Sequence, residues 1–204
     1  MAIVFHTAPY SSAGPVAVVL AELEVPHERV VLDLAKGDQK KPEHLALNPN
    51  GKVPTLVVDG TPMFEALAIM QWLGDRYGVQ RGMWPSADSP ARLRALSWTT
   101  WGYVSYGGAI QRLVQTGSDR FPELKSEVHA AAALKELNHL LDVLETQLKE
   151  APFLLGETVS IADLILACVL GYGAYCGASF DGHAAIAAWM KRVGERPSMQ
   201  SQNS

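Results

Sequence analysis

Asn48-Pro49-Asn50-Gly51-Lys52-Val53-Pro54-Thr55-Leu56, followed after a short hairpin by Phe64-Glu65-Ala66-Leu67-Ala68-Ile69, is the stretch on which the reading of this chain turns. A loop rich in Asn, Pro and Gly runs into an X-Pro bond at the head of an apolar strand, and a Glu then opens the next helix. Taken alone, a Pro at the first residue of a strand is ordinary punctuation, because that position can do without a backbone donor. A Glu in a first helical turn, taken alone, complements the helix dipole. In this order and spacing the pieces predict a site that grips a small peptide by its backbone. With Val53-Pro54 cis, the Val53 amide and carbonyl face outward unpaired, and an extended ligand pairs with them antiparallel.

Working outward, Ile3–Thr7 reads as a strand, residues 15–23 as a helix, and residues 28–32 as a second strand with a β-branched core. A short helical or irregular segment at 42–46 leads to strands at 55–58 and 62–64, joined at Asp59-Gly60, and then to a helix over 65–77. The sum, β-α-β-α-β-β-α, is the thioredoxin-like order. Gly82, Trp84-Pro85, Ser86, Asp88 and Ser89-Pro90 then supply the turn chemistry of a linker. The predicted organisation is an α/β thioredoxin-like N-terminal domain over 1–80, a linker over 81–88 and an all-α C-terminal domain over 89–204.

In that second half Ser89 is an N-cap with Pro90 at the first helical position, and the helix carries Leu93, Leu96, Trp98, Trp101 and Val104 toward or past Tyr106. A long amphipathic helix over 123–149 sets Leu134, Leu137, Leu141, Leu144 and Leu148 at three- and four-residue steps, a core stripe. Ser160-Ile161-Ala162-Asp163 predicts a carboxylate capping box ahead of a helix apolar all round, which belongs at the domain centre. Asp163 is accordingly assigned to folding and not to catalysis.

The net charge of −4 and the dispersed cations argue against a nucleic-acid surface. The start, Met1-Ala2-Ile3-Val4-Phe5-His6, carries no basic segment followed by a long apolar run, and no apolar stretch reaches membrane-spanning length, so a cytoplasmic protein without membrane contact is expected. Cys168 and Cys176, eight apart in one helical segment, are too distant for a mutual disulfide and read as buried thiols. No Cys or His spacing offers a metal site, and the scattered histidines read as surface or capping residues.

From its first strand to Trp189 and the closing Arg196-Pro197, the chain resembles the bacterial cytosolic glutathione transferases. Their thioredoxin-like half carries such a Val-Pro bond and such a Glu at a helix start, and Leu154-Leu155-Gly156-Glu157-Thr158-Val159 resembles the segment before their buried capped helix. The run Asp33-Leu34-Ala35-Lys36-Gly37-Asp38-Gln39 is similar to that of members which include glutathione-dependent disulfide-bond reductases. The class within the superfamily stays open.

The resemblance implies glutathione as co-substrate, no metal, a homodimer, and a role in detoxification. It places Val53 and Pro54 on the ligand backbone, Glu65 on the γ-glutamyl ammonium, the Ala66 amide on the neighbouring carboxylate, and Gln39 and Lys52 near the glycyl end, with Lys40 and Lys41 as substitutes. One departure stands out: the family usually has Ser where this chain has Ala66, so a charge-assisted bond of order 1–3 kcal/mol is missing. A donor at the start of the first helix is needed to lower a thiol pKa of about 8.5. Tyr10, Ser11 and Ser12 are the candidates, and Ser11 or Ser12 is equally suited to capping the helix. The second substrate is expected between the first helix and the long helix of the helical domain, with Tyr103 and Tyr106 turning polar ends to it and Trp98 and Trp101 mostly in the core. Conjugation of small apolar electrophiles is the leading reaction; glutathione-dependent disulfide reduction or peroxide reduction, and a non-catalytic binding module, are the alternatives.

Overall fold

The computed structural model describes residues 1–200 of the 204. The described residues form two compact units, one of residues 1–86 with 197–200, the other of residues 87–196.

The first unit is a mixed sheet in the order β2-β1-β3-β4, built from β1 (Ile3–Thr7), β2 (Glu28–Val31), β3 (Thr55–Val58) and β4 (Thr61–Phe64). β1 and β2 are parallel, which requires a crossover, and α1 (Gly14–Glu22) supplies it. The other two pairs are antiparallel, with Phe5 opposite Leu56 at the centre. Phe5, Leu56, Val16, Val19 and Leu20 are fully buried with Ile69, Met70 and Leu73 of α3 (Ala66–Leu73), forming the core of the unit. Asp59 and Gly60 both take positive φ, 47° and 84°, the geometry that a tight two-residue hairpin asks for. Pro62 is tolerated because β4 is an edge strand.

β2 departs from expectation. Glu28, Arg29 and Val31 are exposed, so its β-branched residues sit on the outer edge of the sheet and not in a core. Val and Ile suit any pleated surface, half-exposed ones included, and residue type alone does not tell an edge from a centre. Two further findings concern the ends of the unit. Trp84, read as linker, is buried against Gly74, where a Cβ would lie 2.8 Å from its ring, and its indole donates to Asp75 at 2.9 Å. Pro197–Gln200 forms a short helix against α1, with the Ser198 hydroxyl donating to Glu22, so the closing turn joins the first unit.

In the second unit Ser89 caps α4 (Pro90–Trp101), accepting from the Ala91 amide at 3.2 Å. A π turn over Gly102–Tyr106 then leads straight into α5 (Gly107–Gly117). Gly102 lets α7 (Ile161–Tyr175) approach, since a Cβ there would meet Leu166 at 2.6 Å. α6 (Glu127–Glu150) begins at the Ser126 cap and not at Glu123, because Pro122–Leu124 closes a separate 3₁₀ turn. Leu137, Leu141, Leu144 and Leu148 are buried as their spacing predicts, but Leu134 of the same expected stripe is exposed.

Asp163 is wholly buried at the start of α7, where it accepts from the Leu154 amide (2.8 Å), the Ser160 amide (2.8 Å), the Ser160 hydroxyl (2.7 Å) and the Trp189 indole (2.9 Å). Burial pushes its pKa up, and these hydrogen bonds oppose the rise. Glu145 of α6 plays a related part at α8 (Ala184–Gly194), accepting from the amides of Ala185 (3.1 Å) and Ile186 (3.0 Å) that the helix start leaves without partners. Among the described residues no helix is long and apolar enough to cross a membrane.

Candidate active site

The turn ahead of β3 is built by two side chains. Asn48 donates through Nδ2 to the Lys52 carbonyl (2.9 Å) and to Thr55 Oγ1 (3.1 Å), while its Oδ1 accepts from the Asn50 amide (3.1 Å). His44, on the short α2 (Pro42–Leu45), donates from Nε2 to the same Lys52 carbonyl at 2.8 Å. Gly51 takes φ 57° beneath Lys40, whose Nζ donates to the Asn50 carbonyl at 3.2 Å. Held from both sides, the loop delivers Val53-Pro54 as a cis peptide with both residues buried. His44 and Asn48 were legible as residue types but not as braces. His44 is buried, contrary to its reading as a surface or capping histidine, and its ring lies 5.6 Å from that of His6. Burial, with His44 second, holds the His6 pKa below its ordinary value.

Opposite this turn, the three residues after Pro9 separate by geometry. Tyr10 has φ 50° and a ring fully open to solvent, with relative exposure 108%. Ser11 is a turn residue: its hydroxyl donates to the Ala8 carbonyl at 2.6 Å and accepts from the Ala13 amide at 3.2 Å. Ser12 reaches across the chain and donates to the Val53 carbonyl at 2.8 Å. The Val53 carbonyl is therefore not unpaired, as the sequence suggested, but holds the Ser12 proton. Ser12 is the candidate that the fold brings to the turn.

Glu65 immediately precedes α3 with φ 71° and ψ 112°, a backbone conformation that non-glycine residues adopt only when their surroundings impose it, at a cost of about 1–3 kcal/mol. Its side chain is exposed, and Ala66 behind it is the buried first residue of the helix, 6% exposed. First-turn amides of a helix have no intrahelical partner and attract anions, so cation-seeking and anion-seeking groups stand side by side here.

The remaining binding candidates differ in freedom. Lys52 is exposed, Lys41 is paired with Asp38 at 2.7 Å, and Gln39 donates from Nε2 to the Leu34 carbonyl at 3.4 Å while its Oε1 is buried without a partner. Where parallel β1 and β2 end, Ala8, Pro9, Val31, Leu32, Asp33 and Leu34 line a cleft of about 380 Å³. Val31 and Leu34 form an apolar shelf in it that sequence reasoning missed, because Val31 was assigned to a core strand.

In the helical unit Tyr103 is half-buried, but Tyr106 is fully buried and does not turn its hydroxyl outward. It stacks on Trp101 with ring centroids 6.1 Å apart, its hydroxyl has no partner, and burial, with a lesser push from Cys176, raises its pKa to about 12. The π turn is the cause: it breaks the three-residue spacing that would have set Tyr103 and Tyr106 on one face. Cys168 and Cys176 are not joined in a disulfide, and burial pushes the Cys168 thiol up to about 12. Cys176, expected in the interior, is partly exposed.

The family descriptions "Glutathione S-transferase, N-terminal domain" and "Glutathione S-transferase, C-terminal domain" match residues 11–76 and 100–197. The chain is 36% identical over 170 residues to Glutathione S-transferase 2 of Schizosaccharomyces pombe, covering 78% of this chain and 72% of the relative. It is 29% identical over 203 residues to the disulfide-bond oxidoreductase YfcG of Escherichia coli, covering 94% and 90%. Among solved structures, the glutathione transferase URE2P6 of Phanerochaete chrysosporium, in complex with oxidised glutathione, superposes with TM-score 0.86 at 26% identity, covering 98% of this chain and 94% of that one. With both halves matched, and with the sheet order and the helical unit of that fold in place, the chain belongs to the cytosolic glutathione transferase superfamily.

Proposed function

We propose that this protein binds glutathione across the Val53-Pro54 turn and uses its thiolate to attack small apolar electrophiles. The observation that carries the reading is the 2.8 Å hydrogen bond from Ser12 to the Val53 carbonyl, which joins the start of α1 to the backbone edge that a peptide would read. A cysteinyl residue lying along Val53 brings its sulfur to Ser12. The hydroxyl then donates to the sulfur, and with the α1 N-terminus it favours the thiolate. Glu65 takes the γ-glutamyl ammonium, the Ala66 amide the adjoining carboxylate, and Lys52 the glycyl carboxylate. Gln39 accepts a ligand N–H at its Oε1, which is buried without a protein partner.

The apolar shelf at Val31 and Leu34 suits an electrophile with little charge. In conjugation the thiolate forms a carbon–sulfur bond and the electrophile releases its leaving group or takes up a proton. Ser11 serves as the turn residue that aims Ser12, and Tyr10 takes no part. A cytoplasmic homodimer is part of the same reading.

Likeness to the Escherichia coli disulfide-bond oxidoreductase favours a second reaction at the same site, attack of the thiolate on a disulfide sulfur with expulsion of the other thiolate. Retention on immobilised glutathione tests the binding, and turnover with an activated aryl halide, set beside reduction of a small dialkyl disulfide, tests the chemistry. Retention with aryl transfer supports conjugation, and retention with disulfide reduction alone supports exchange. Retention without either leaves a binding module, and loss of retention overturns the reading.

A further inference from the structure

The Lys52–Val53 peptide is gripped by its oxygen. His44 Nε2 at 2.8 Å and Asn48 Nδ2 at 2.9 Å both donate to the Lys52 carbonyl, one from α2 and the other from the loop behind it. A carbonyl only accepts, so the His44 ring must carry a proton on Nε2. His44 is 4% exposed and packs on His6 of β1, while Asn48 is fastened to β3 through Thr55 Oγ1. Burial, and after it the His44 ring, hold the His6 pKa below its ordinary 6.5, so the ring that backs His44 is uncharged at neutral pH.

The consequence falls on the other end of the same peptide. The Lys52–Val53 bond is trans, and a trans peptide is planar with its C=O and N–H pointing in opposite directions. Two donors on the oxygen therefore fix the direction of the Val53 N–H, which is turned away from both. That amide makes no hydrogen bond to a described residue, although Val53 is only 6% exposed, and the Val53 carbonyl holds the Ser12 proton. Buried backbone donors without a partner are rare. This one is the backbone donor of the turn that is left for an acceptor on a ligand.

We infer that His44 is a positioning residue of the peptide site: by clamping the Lys52 carbonyl it aims the Val53 amide at the carbonyl of the ligand's central residue. The inference rests on the reading that glutathione lies along Val53, where antiparallel pairing sets the cysteinyl carbonyl opposite that amide. His44 acts through a peptide plane and not by touching the ligand. When its donor is lost, Asn48 still holds the same oxygen, so the plane loosens without the turn coming apart.

Calorimetric titration of the full chain with two ligands tests it: glutathione, and its trans-alkene isostere, in which a carbon–carbon double bond replaces the cysteinyl–glycine amide and removes the acceptor while keeping the shape. His44→Phe keeps a ring in the pocket and removes the donor. It should weaken glutathione about fivefold, the worth of one modest hydrogen bond, and leave the affinity for the isostere unchanged. His44→Gln, whose side-chain amide nitrogen reaches the place of Nε2, should bring glutathione binding back to within about twofold of the wild type. Equal weakening of both ligands, which is what a deformed site gives, would overturn the inference, as would undiminished glutathione binding in His44→Phe or no recovery in His44→Gln. Retention of the wild-type chain on immobilised glutathione separates the two levels of the argument: with retention, any of those results removes the role of His44 alone, and without it the glutathione reading and this inference fall together.

Discussion

Replacing Ser12 by Ala probes the proposed chemistry most directly. A hydroxyl has one proton to give, and in this structure it goes to the Val53 carbonyl at 2.8 Å. A thiolate must take that proton away from the carbonyl. A hydrogen bond to a charged acceptor is worth about 1.5–3 kcal/mol and the neutral bond it replaces about 1 kcal/mol, which leaves roughly 0.5–2 kcal/mol for the thiolate over the thiol. At about 1.36 kcal/mol per pKa unit, Ser12→Ala should raise the pKa of bound glutathione by about one unit. The thiolate fraction then falls about tenfold at pH values below that pKa, but the more basic thiolate is a better nucleophile by roughly threefold, so turnover should fall about threefold. Affinity for the thiol form should change little. Thiolate absorbance of the complex against pH, in Ser12→Ala, Ser11→Ala and Tyr10→Phe, makes the measurement. Ser11→Ala should lose stability through its turn and leave the pKa unmoved. A pKa rise confined to Tyr10→Phe, or none in Ser12→Ala, would refute the assignment.

Ala66→Ser should restore a hydroxyl at the start of α3 and tighten glutathione binding by up to about tenfold, as read by calorimetry; unchanged binding would mean that the carboxylate is already satisfied by another group. Asp163→Ala strands four donors in the core of the helical unit and should cost about 4 kcal/mol or more, visible as a lower urea midpoint, with a small loss counting against the buried network. Glu145→Gln should cost about 1–2 kcal/mol at neutral pH through its poorer cap on α8. Burial works to raise the Glu145 pKa, but the Ile186 and Ala185 amides and Lys149 outweigh it and hold the carboxyl below its ordinary 4.5. Its stabilisation is therefore fully present above 4.5 and is lost as pH falls through the lowered folded-state value, so melting curves of the two forms should differ at neutral pH and converge in acid.

The sequence was legible wherever residue type restricts the backbone. Asp59-Gly60 marked the hairpin, Ser89-Pro90 the start of α4, Ser160 and Asp163 the capped central helix, and Val53-Pro54 the cis turn. It was opaque where the same residues suit two environments. Val30 and Val31 read as core although β2 is an edge, since β-branched side chains fit both. Ser11 and Ser12 were indistinguishable because either hydroxyl caps a turn, and only the approach of Val53, more than forty residues away in the chain, separates them. His44 and Asn48 gave no sign that both serve the Lys52 carbonyl. Tyr106 was misplaced because counting by three or four assumes an unbroken helix.

The π turn at Gly102–Tyr106 has a meaning for sequence register as well as for packing. Such a turn takes one more residue than an α-helical turn, and in this way a helix accommodates an extra residue without unravelling. Everything beyond it is rotated by about 100° relative to an uninterrupted helix. α4 and α5 are thus two reading frames on one rod, each free to vary its apolar pattern without dragging the other's face out of place. Position-by-position comparison with relatives that lack the bulge holds on either side of Tyr106 but not across it, and a shortened loop in such an alignment is better sought inside this rod than at its ends.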